Sequence, residues 1–229
     1  MFAKRSRDCE CSLRSKPLGL RSEQAVPGRR GDRSGRPFEF VVMRVEIVVG
    51  MAFDLQPNLK DRLVELRPLR PEDWRALFTV ASDPLIWEQH PERDRHEKDV
   101  FQIFFREALE SGGAFVVIDR SSQQIIGSTR FYGYDPEKSE IEIGWTFLAR
   151  KYWGGRYNAE MKRLLLNHAF QFVHNVVFYV GEKNIRSQKA MEKIGAIRKG
   201  TVARACGNHP PALNVKYVIQ KRDTLRLEG

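Results

Sequence analysis

From Leu63 onward the apolar positions of the chain recur by turns with periods near two and near 3.6, the spacings of strand and helix. LVELRPL, residues 63–69, alternates as a strand does. Pro71 sits at a helix start with Glu72 and Asp73 in the first turn, where the helix dipole favours acids. Trp74, Leu77, Phe78 and Ala81 make that helix's inner face. A turn-rich stretch follows, with a short helical turn around Leu85 to Glu88. A second helix is predicted from about Lys98 to Glu110, with Val100, Phe101, Phe104, Phe105, Ala108 and Leu109 inward and Gly112 and Gly113 ending it.

Strands come next: Ala114 to Asp119, then Ile125 to Tyr134, joined by a hairpin turn at Ser121 to Gln123. After a turn at Asp135 to Lys138, Glu140 to Phe147 alternates cleanly. The pattern puts Ile141, Ile143, Trp145 and Phe147 on one face and Glu140, Glu142 and Thr146 on the other. A turn holding Gly154 and Gly155 leads into a long amphipathic helix whose apolar face carries Met161, Leu164, Leu165, Ala169, Phe172 and Val173. Val176 to Val180 is a nearly all-apolar, buried strand. Asn184 opens a helix over Ile185 to Ile194, closed by Gly195, and two strands follow at Ile197 to Ala205 and Leu213 to Gln220. Strands and helices do not alternate strictly, so a Rossmann sheet is not expected. The order predicts an α+β domain: a mixed, mostly antiparallel sheet of about seven strands with helices on both faces.

Residues 1–37 break this regularity. They are rich in Arg, Ser, Gly and Pro and nearly lack branched apolar residues. Such a segment cannot bury enough surface to offset its ordering entropy and is expected to be disordered. It has no apolar signal-peptide core, and Asp8, Glu10, Glu23 and Asp32 argue against an organellar transit peptide. The abrupt change at Phe38 favours a start of translation at Met43 or Met51, although Phe38 to Val49, if translated, is a further candidate strand. The expected division is therefore an Arg-rich extension over 1–50 and a folded domain over 51–229 with its core in 63–222.

Charge changes this picture little. The net charge is +10, and residues 1–50 hold 11 Lys and Arg against 6 Asp and Glu, so half of it lies there. The remainder is an ordinary solubility charge that also suits an anionic ligand. No helix-turn-helix spacing, zinc-finger ligand set or aromatic RNP-type strand is present, so nucleic acid is not an expected partner. No apolar run approaches the roughly 20 residues of a membrane helix. Of three cysteines only Cys206 lies outside the N-terminal stretch, which fits a reducing, cytoplasmic setting. The five histidines show no metal-ligand spacing, and no metal is expected.

The Gly154–Gly155 turn is the chief candidate for chemistry. Glycines before a helix leave backbone N–H groups uncovered, with the positive end of the dipole behind them, a place suited to phosphate. Arg150, Lys151 and Arg156 add positive charge.

Three segments around this turn then resemble one family. EIGW at Glu142 to Trp145, YWGGRYNAE at Tyr152 to Glu160 and NIRSQKAMEKIGA at Asn184 to Ala196 are similar, in order and spacing, to the strand, acyl-CoA loop and following helix of GNAT-superfamily N-acetyltransferases of the RimJ/RimL-like branch. The likeness spans about residues 63–222. It implies acetyl-CoA as co-substrate and direct acetyl transfer to a primary amine: a protein N-terminus, a polyamine, an amino sugar or another small amine. It also implies cofactor contacts from Phe147, from Lys151, Tyr152, Trp153, Gly154, Gly155, Arg156 and Tyr157, and from Asn184 and Ser187. Relatives are monomers or dimers. In the family's loop a Gln or Arg is followed, at the fourth place, by Gly and, at the sixth, by Gly or Ala. Here Lys151, Gly154 and Arg156 hold these places, and Met191 stands where many relatives have a Tyr.

Acetyl transfer needs a base for the amine and a proton for the departing thiolate. Glu142, and after it Glu140, are candidate bases on the strand before the loop; the alternative is that both are solvent-facing charges. Backbone N–H groups from Gly144 to Phe147 are candidate donors to the thioester carbonyl. Ser187 shares an i, i+3, i+4, i+7 face with Ala190, Met191 and Ile194 and is the candidate acid; the alternative is a local backbone bond. Asn184 resembles a pantetheine-contacting residue and is also placed to cap its helix. By the resemblance, Trp87, His90 and the Val100–Leu109 helix line the acceptor side. The competing reading is an acyl-CoA-binding domain without turnover, for which Arg156 and Met191 are the signs. A third is a nucleic-acid-linked protein acting through its Arg-rich tail.

Overall fold

The computed structural model describes residues 52–206 and 209–224. The expected extension over 1–50 therefore lies outside the described residues. Eight strands form one sheet: β1 Leu59–Lys60, β2 Val64–Pro68, β3 Ala114–Asp119, β4 Gln124–Asp135, β5 Glu140–Leu148, β6 Asn175–Gly181, β7 Ile197–Cys206 and β8 His209–Gln220. Their order across the sheet is β1-β2-β3-β4-β5-β6-β8-β7. Every neighbouring pair is antiparallel except β5 and β6. A parallel pair needs a crossover, and here it is the long helix α3, Arg156–Ala169. The other main helices are α1 Trp74–Ala81, α2 Lys98–Glu110 and α4 Ile185–Lys193. The domain is α+β, as the element order predicts. The strand beyond the expected seven is the two-residue β1.

The sheet is covered on both faces, which explains why β3 is apolar from Ala114 to Ile118. Phe115 and Val117 pack on the side of α3 and α4 with Met161, Leu165, Ala169 and Met191. Ala114 and Val116 pack on the side of α1 and α2 with Leu77, Ala81, Phe101, Phe104 and Phe105. The packed structure also reaches upstream of Leu63. Phe53 is buried against Phe131, Phe172 and His168, with ring centroids 5.2, 5.0 and 5.6 Å away. His168 Nε2 lies 2.7 Å from the Asp54 carbonyl.

β5 departs from its sequence pattern at one residue. Trp145 has φ +49°, in the left-handed region that a bulky residue seldom adopts. The β4–β5 register runs Arg130 to Gly144 and then Ser128 to Phe147, so Trp145 and Thr146 together oppose Thr129. This is a β-bulge, and the extra residue turns the following side chains to the opposite face. Ile141 and Ile143 face α3, whereas Phe147 joins Phe101 and Phe104 on the other side. Thr146 reaches Lys162 of α3 instead of sharing a face with Glu140 and Glu142. The expected single apolar face over Ile141, Ile143, Trp145 and Phe147 is thus corrected. β5 also parts from β6 shortly before the bulge: the two pair only over Glu140–Glu142 and Asn175–Val177.

Candidate active site

A cavity of ≈ 1120 Å³ lies along the diverging ends of β5 and β6. It exceeds the roughly 300–1,000 Å³ of ordinary small-molecule pockets, leaving room for a cofactor and an acceptor together. Its wall runs from Trp153, Gly154, Gly155, Asn158 and Lys162 at the start of α3, along Glu142 to Leu148 of β5, to Trp87, His90, Arg95 and Arg130. α4 contributes Asn184, Ser187, Met191 and Lys193.

The turn entering α3 is open towards this cavity. Gly154 has φ +69°, a conformation that favours glycine, and Gly155 is the N-cap. Gly155 has no side chain, and no side chain caps the helix, so the N–H groups of its first turn remain available to an anion. The turn is anchored from behind. Tyr152 and Tyr157 both donate to Asp119, at 3.1 and 3.2 Å, and Trp153 Nε1 donates to the Leu148 carbonyl at 2.8 Å. Burial pushes the Asp119 carboxyl up, but hydrogen bonds from Ser122, from the N–H and hydroxyl of Ser121 and from Tyr152 outweigh it and hold the pKa at about 2. A carboxyl so lowered stabilises the fold above its ordinary pKa and loses that contribution as pH falls through it towards about 2. Asp119→Asn is therefore expected to flatten the fall in thermal midpoint between pH 5 and 3, and to loosen the Gly154 turn. Unfolding scans across that range and calorimetric titration with coenzyme A check the two effects.

The electrostatics centre on four cavity groups. Lys162 is 2% exposed. Its Nζ donates to Thr146 Oγ1 at 2.9 Å and lies 5.4 Å from the Phe178 ring centroid. Burial pushes its pKa down to about 7. Glu142, 7% exposed, takes both guanidinium branches of Arg204, at 2.9 and 3.0 Å. Burial raises its carboxyl above the ordinary range, and Arg204 offsets part of that. Arg130 is buried beside Trp145, its guanidinium carbon 4.7 Å from the ring centroid. Among the described residues, no group of three or more His, Cys, Asp or Glu is placed to hold a metal ion, and no helix is long and apolar enough to cross a membrane.

Residues 63–197 match the family model of the acetyltransferase (GNAT) domain. The chain belongs to the GNAT family of acetyltransferases. It resembles the uncharacterized N-acetyltransferase YnaD of Bacillus subtilis (strain 168), 29% identical over 137 residues, which make up 59% of this chain and 79% of YnaD. Among solved structures it resembles a GCN5-related N-acetyltransferase from Brucella melitensis at a TM-score of 0.68 and 19% identity, covering 77% of this chain and 84% of that one. It also resembles Mycobacterium smegmatis RimJ, solved with CoA-disulfide, at a TM-score of 0.55 and 18% identity, covering 70% and 83% of the two chains. At these identities the two structures show a shared GNAT fold.

Within this GNAT domain the predicted site residues divide. Glu142, Phe147, Trp153, Gly154, Gly155, Asn184 and Ser187 line the cavity. Asn184 does cap its helix, accepting from Ser187 N at 3.1 Å. Glu140, Lys151, Tyr152, Arg156 and Tyr157 lie outside the lining. Glu140 pairs instead with Lys216, 3.4 Å away. Tyr152 and Tyr157 are held on Asp119, and Arg156 is exposed as the first residue of α3. The large side chain at Arg156 therefore does not cover the turn, and the left-handed backbone is supplied at Gly154. Sequence reasoning missed Lys162, Arg130, Thr146 and Arg204. For Lys162 a signal existed: it stands at i, i+3, i+4, i+7 with the buried Leu165, Leu166 and Ala169, so it interrupts an apolar stripe.

Proposed function

We propose that this GNAT domain moves an acetyl group from acetyl-CoA directly to a primary amine and belongs to the RimJ/RimL-like branch. The observation that carries the reading is one cavity that joins an uncapped helix N-terminus at Gly154–Gly155 to two separate buried groups, Lys162 and Glu142. The branch assignment rests on the three motifs and their order. That RimJ was solved with CoA-disulfide supports coenzyme A as the ligand type.

The residues fit such a co-substrate. The first-turn N–H groups of α3 take the pyrophosphate, and Lys189 and Lys193 of α4 add positive charge at the wall. Asn184 and the parted edge of β5 accompany the pantetheine arm. Acetyl-CoA supplies an acyl carbon activated as a thioester. Glu142 takes the proton of the attacking amine: Arg204 occupies two of its acceptor sites and leaves others free. N–H groups between Gly144 and Phe147 face the carbonyl. As the N–C bond forms and the C–S bond breaks, Lys162 gives its proton to the sulfur, with Ser187 as a second donor on the facing helix. An ammonium of pKa about 7 is a stronger acid than an ordinary thiol near 8.5, so this transfer runs downhill. Lys162 also supplies the proton donor that Met191 does not.

The test is acetyl-CoA incubation with a panel of amines, read as free thiol. Thiol release dependent on an amine is expected. Binding of coenzyme A by calorimetry without thiol from any amine would favour a binding protein. Gly154→Glu places a carboxylate at the phosphate turn and is expected to weaken coenzyme A binding by at least about tenfold; unchanged affinity would remove the turn from the site.

A further inference from the structure

We propose that Arg130 binds an anionic group on the acceptor, so that the amine acetylated by this domain also carries a carboxylate or phosphate. The inference rests on the proposed transferase reading and names its substrate class. Arg130 is 4% exposed and lines the cavity. Its Nε and Nη2 have no hydrogen-bond partner among the described residues. Each neighbouring cation has a partner for its charge or a hydrogen bond within the protein. Arg95 pairs with Glu92 at 2.5 Å, Arg204 with Glu142, Lys162 with Thr146 and Arg186 with the Ile86 carbonyl at 2.9 Å.

Arg130 is fixed on an inner strand opposite Gly144, beside the bulge and where β5 has parted from β6. Trp145 and Phe104 present their rings to it, centroids 4.7 and 5.7 Å away. The charged groups that face it are Arg95, Glu107 and Glu142, with Tyr132 nearby; neither carboxylate forms an ion pair with it. Burial, and then the like charge of Arg95, bring its pKa down to about 10, so it remains protonated at neutral pH. A buried guanidinium with unpaired N–H groups is costly unless a ligand completes it. Its planar fork matches a carboxylate or phosphate held by two parallel hydrogen bonds. Its place opposite Gly144 puts the anion across from the β5 backbone proposed to face the thioester, so amine and anion belong to one small molecule or chain end. A polyamine would bring cations against Arg130 and Arg95, which selects against it.

The experiment measures thiol release from acetyl-CoA with matched acceptors: the common amino acids, their amides, 2-aminoethyl phosphate and spermidine. Anionic amines are expected to exceed neutral counterparts by about 10- to 100-fold in kcat/KM, the effect of one charge-assisted contact. Preference for 2-aminoethyl phosphate over the amino acids assigns the site to phosphate, and the reverse assigns it to carboxylate. Arg130→Met is expected to abolish the preference by raising KM for the anionic acceptor, leaving KM for acetyl-CoA unchanged, and Arg130→Lys to restore part of it. Amides or spermidine used as well as amino acids by the unaltered protein would overturn the inference and leave the transferase reading standing. A preference that survives Arg130→Met would do the same. Silence with every amine would sink both.

Discussion

Replacing Lys162 by Met is expected to stabilise the protein while nearly stopping turnover. The two effects have one origin. Lys162 is enclosed by the start of α3 and the parted strands β5 and β6, with Thr146 as its hydrogen-bond partner and the Phe178 ring beside it. Burial lowers its pKa from 10.5 to about 7. Between these values the unfolded chain holds a proton that the folded chain has given up, so stability rises with pH across that window. At and below about pH 7 the full cost of burying the charge is present, on the order of 5 kcal/mol at 1.36 kcal/mol per pKa unit. Met fills a similar volume without charge. Near pH 6 the variant's thermal midpoint should exceed the parent's by roughly 10–20 °C, at 2–4 °C per kcal/mol for a domain of this size. The gap should close as pH approaches 10. Without the proposed proton donor, kcat should fall by about 10²–10⁴. The parent's kcat/KM should decline above about pH 7, and that limb should be missing from the variant. A variant that is less stable, or that keeps the parent's kcat, would show that Lys162 serves packing alone.

This opposition of stability and turnover explains why Lys162 could be missed. In a helix rich in charge, with Glu160, Lys162 and Arg163 in one stretch, a lysine reads as solvent-facing. Only its register with Leu165, Leu166 and Ala169 says otherwise. The elements themselves were legible because period and caps agree: the acidic first turn after Pro71, the glycines at 112 and 113, and the apolar run of β3 buried on both faces. The bulge in β5 was not legible. EIEIGWTF alternates without fault, and nothing in it says that Trp145 takes a left-handed φ. The consequence reached the site, because the bulge turns Thr146 towards Lys162 and sets Trp145 beside Arg130. The tyrosines of the loop show a different limit. Tyr152 and Tyr157 sit in a cofactor-like motif, yet their hydroxyls meet Asp119, a residue more than 30 positions away at the end of β3. Motif spacing places a backbone turn well, but it does not say which side chains line the cavity.

Substituting Gly127 by Ala is the second large expected effect, and it reaches the site through the backbone. Gly127 lies on β4 between Val117 of β3 and Leu148 of β5. A Cβ there would stand 2.0 Å from the Phe147 carbonyl oxygen and 3.0 Å from Leu148 Cα. β3 is backed by β2, and although β5 has parted from β6 at this point, it is tied down by the bonds that follow it. The strain falls on the residues just past the bulge, where the Ala149 N–H bonds the Ile126 carbonyl at 2.8 Å and the Leu148 carbonyl holds Trp153 Nε1. Trp153 in turn stands next to Gly154. The substitution should therefore cost about 3 kcal/mol, at the upper end of ordinary overpacking, or roughly 6–12 °C in thermal midpoint. It should also weaken coenzyme A binding at temperatures where the protein is still folded. Gly133→Ala provides the contrast. Gly133 has φ +62° but nothing within 4 Å of a Cβ, so only the backbone cost of about 1 kcal/mol applies, with no change in binding. Thermal scans and calorimetry on the two variants separate these cases. If Gly127→Ala matched Gly133→Ala in both, β5 would be free to shift at Phe147, and the close fit of β4 against β5 would not be what fixes the bulge beside the cavity.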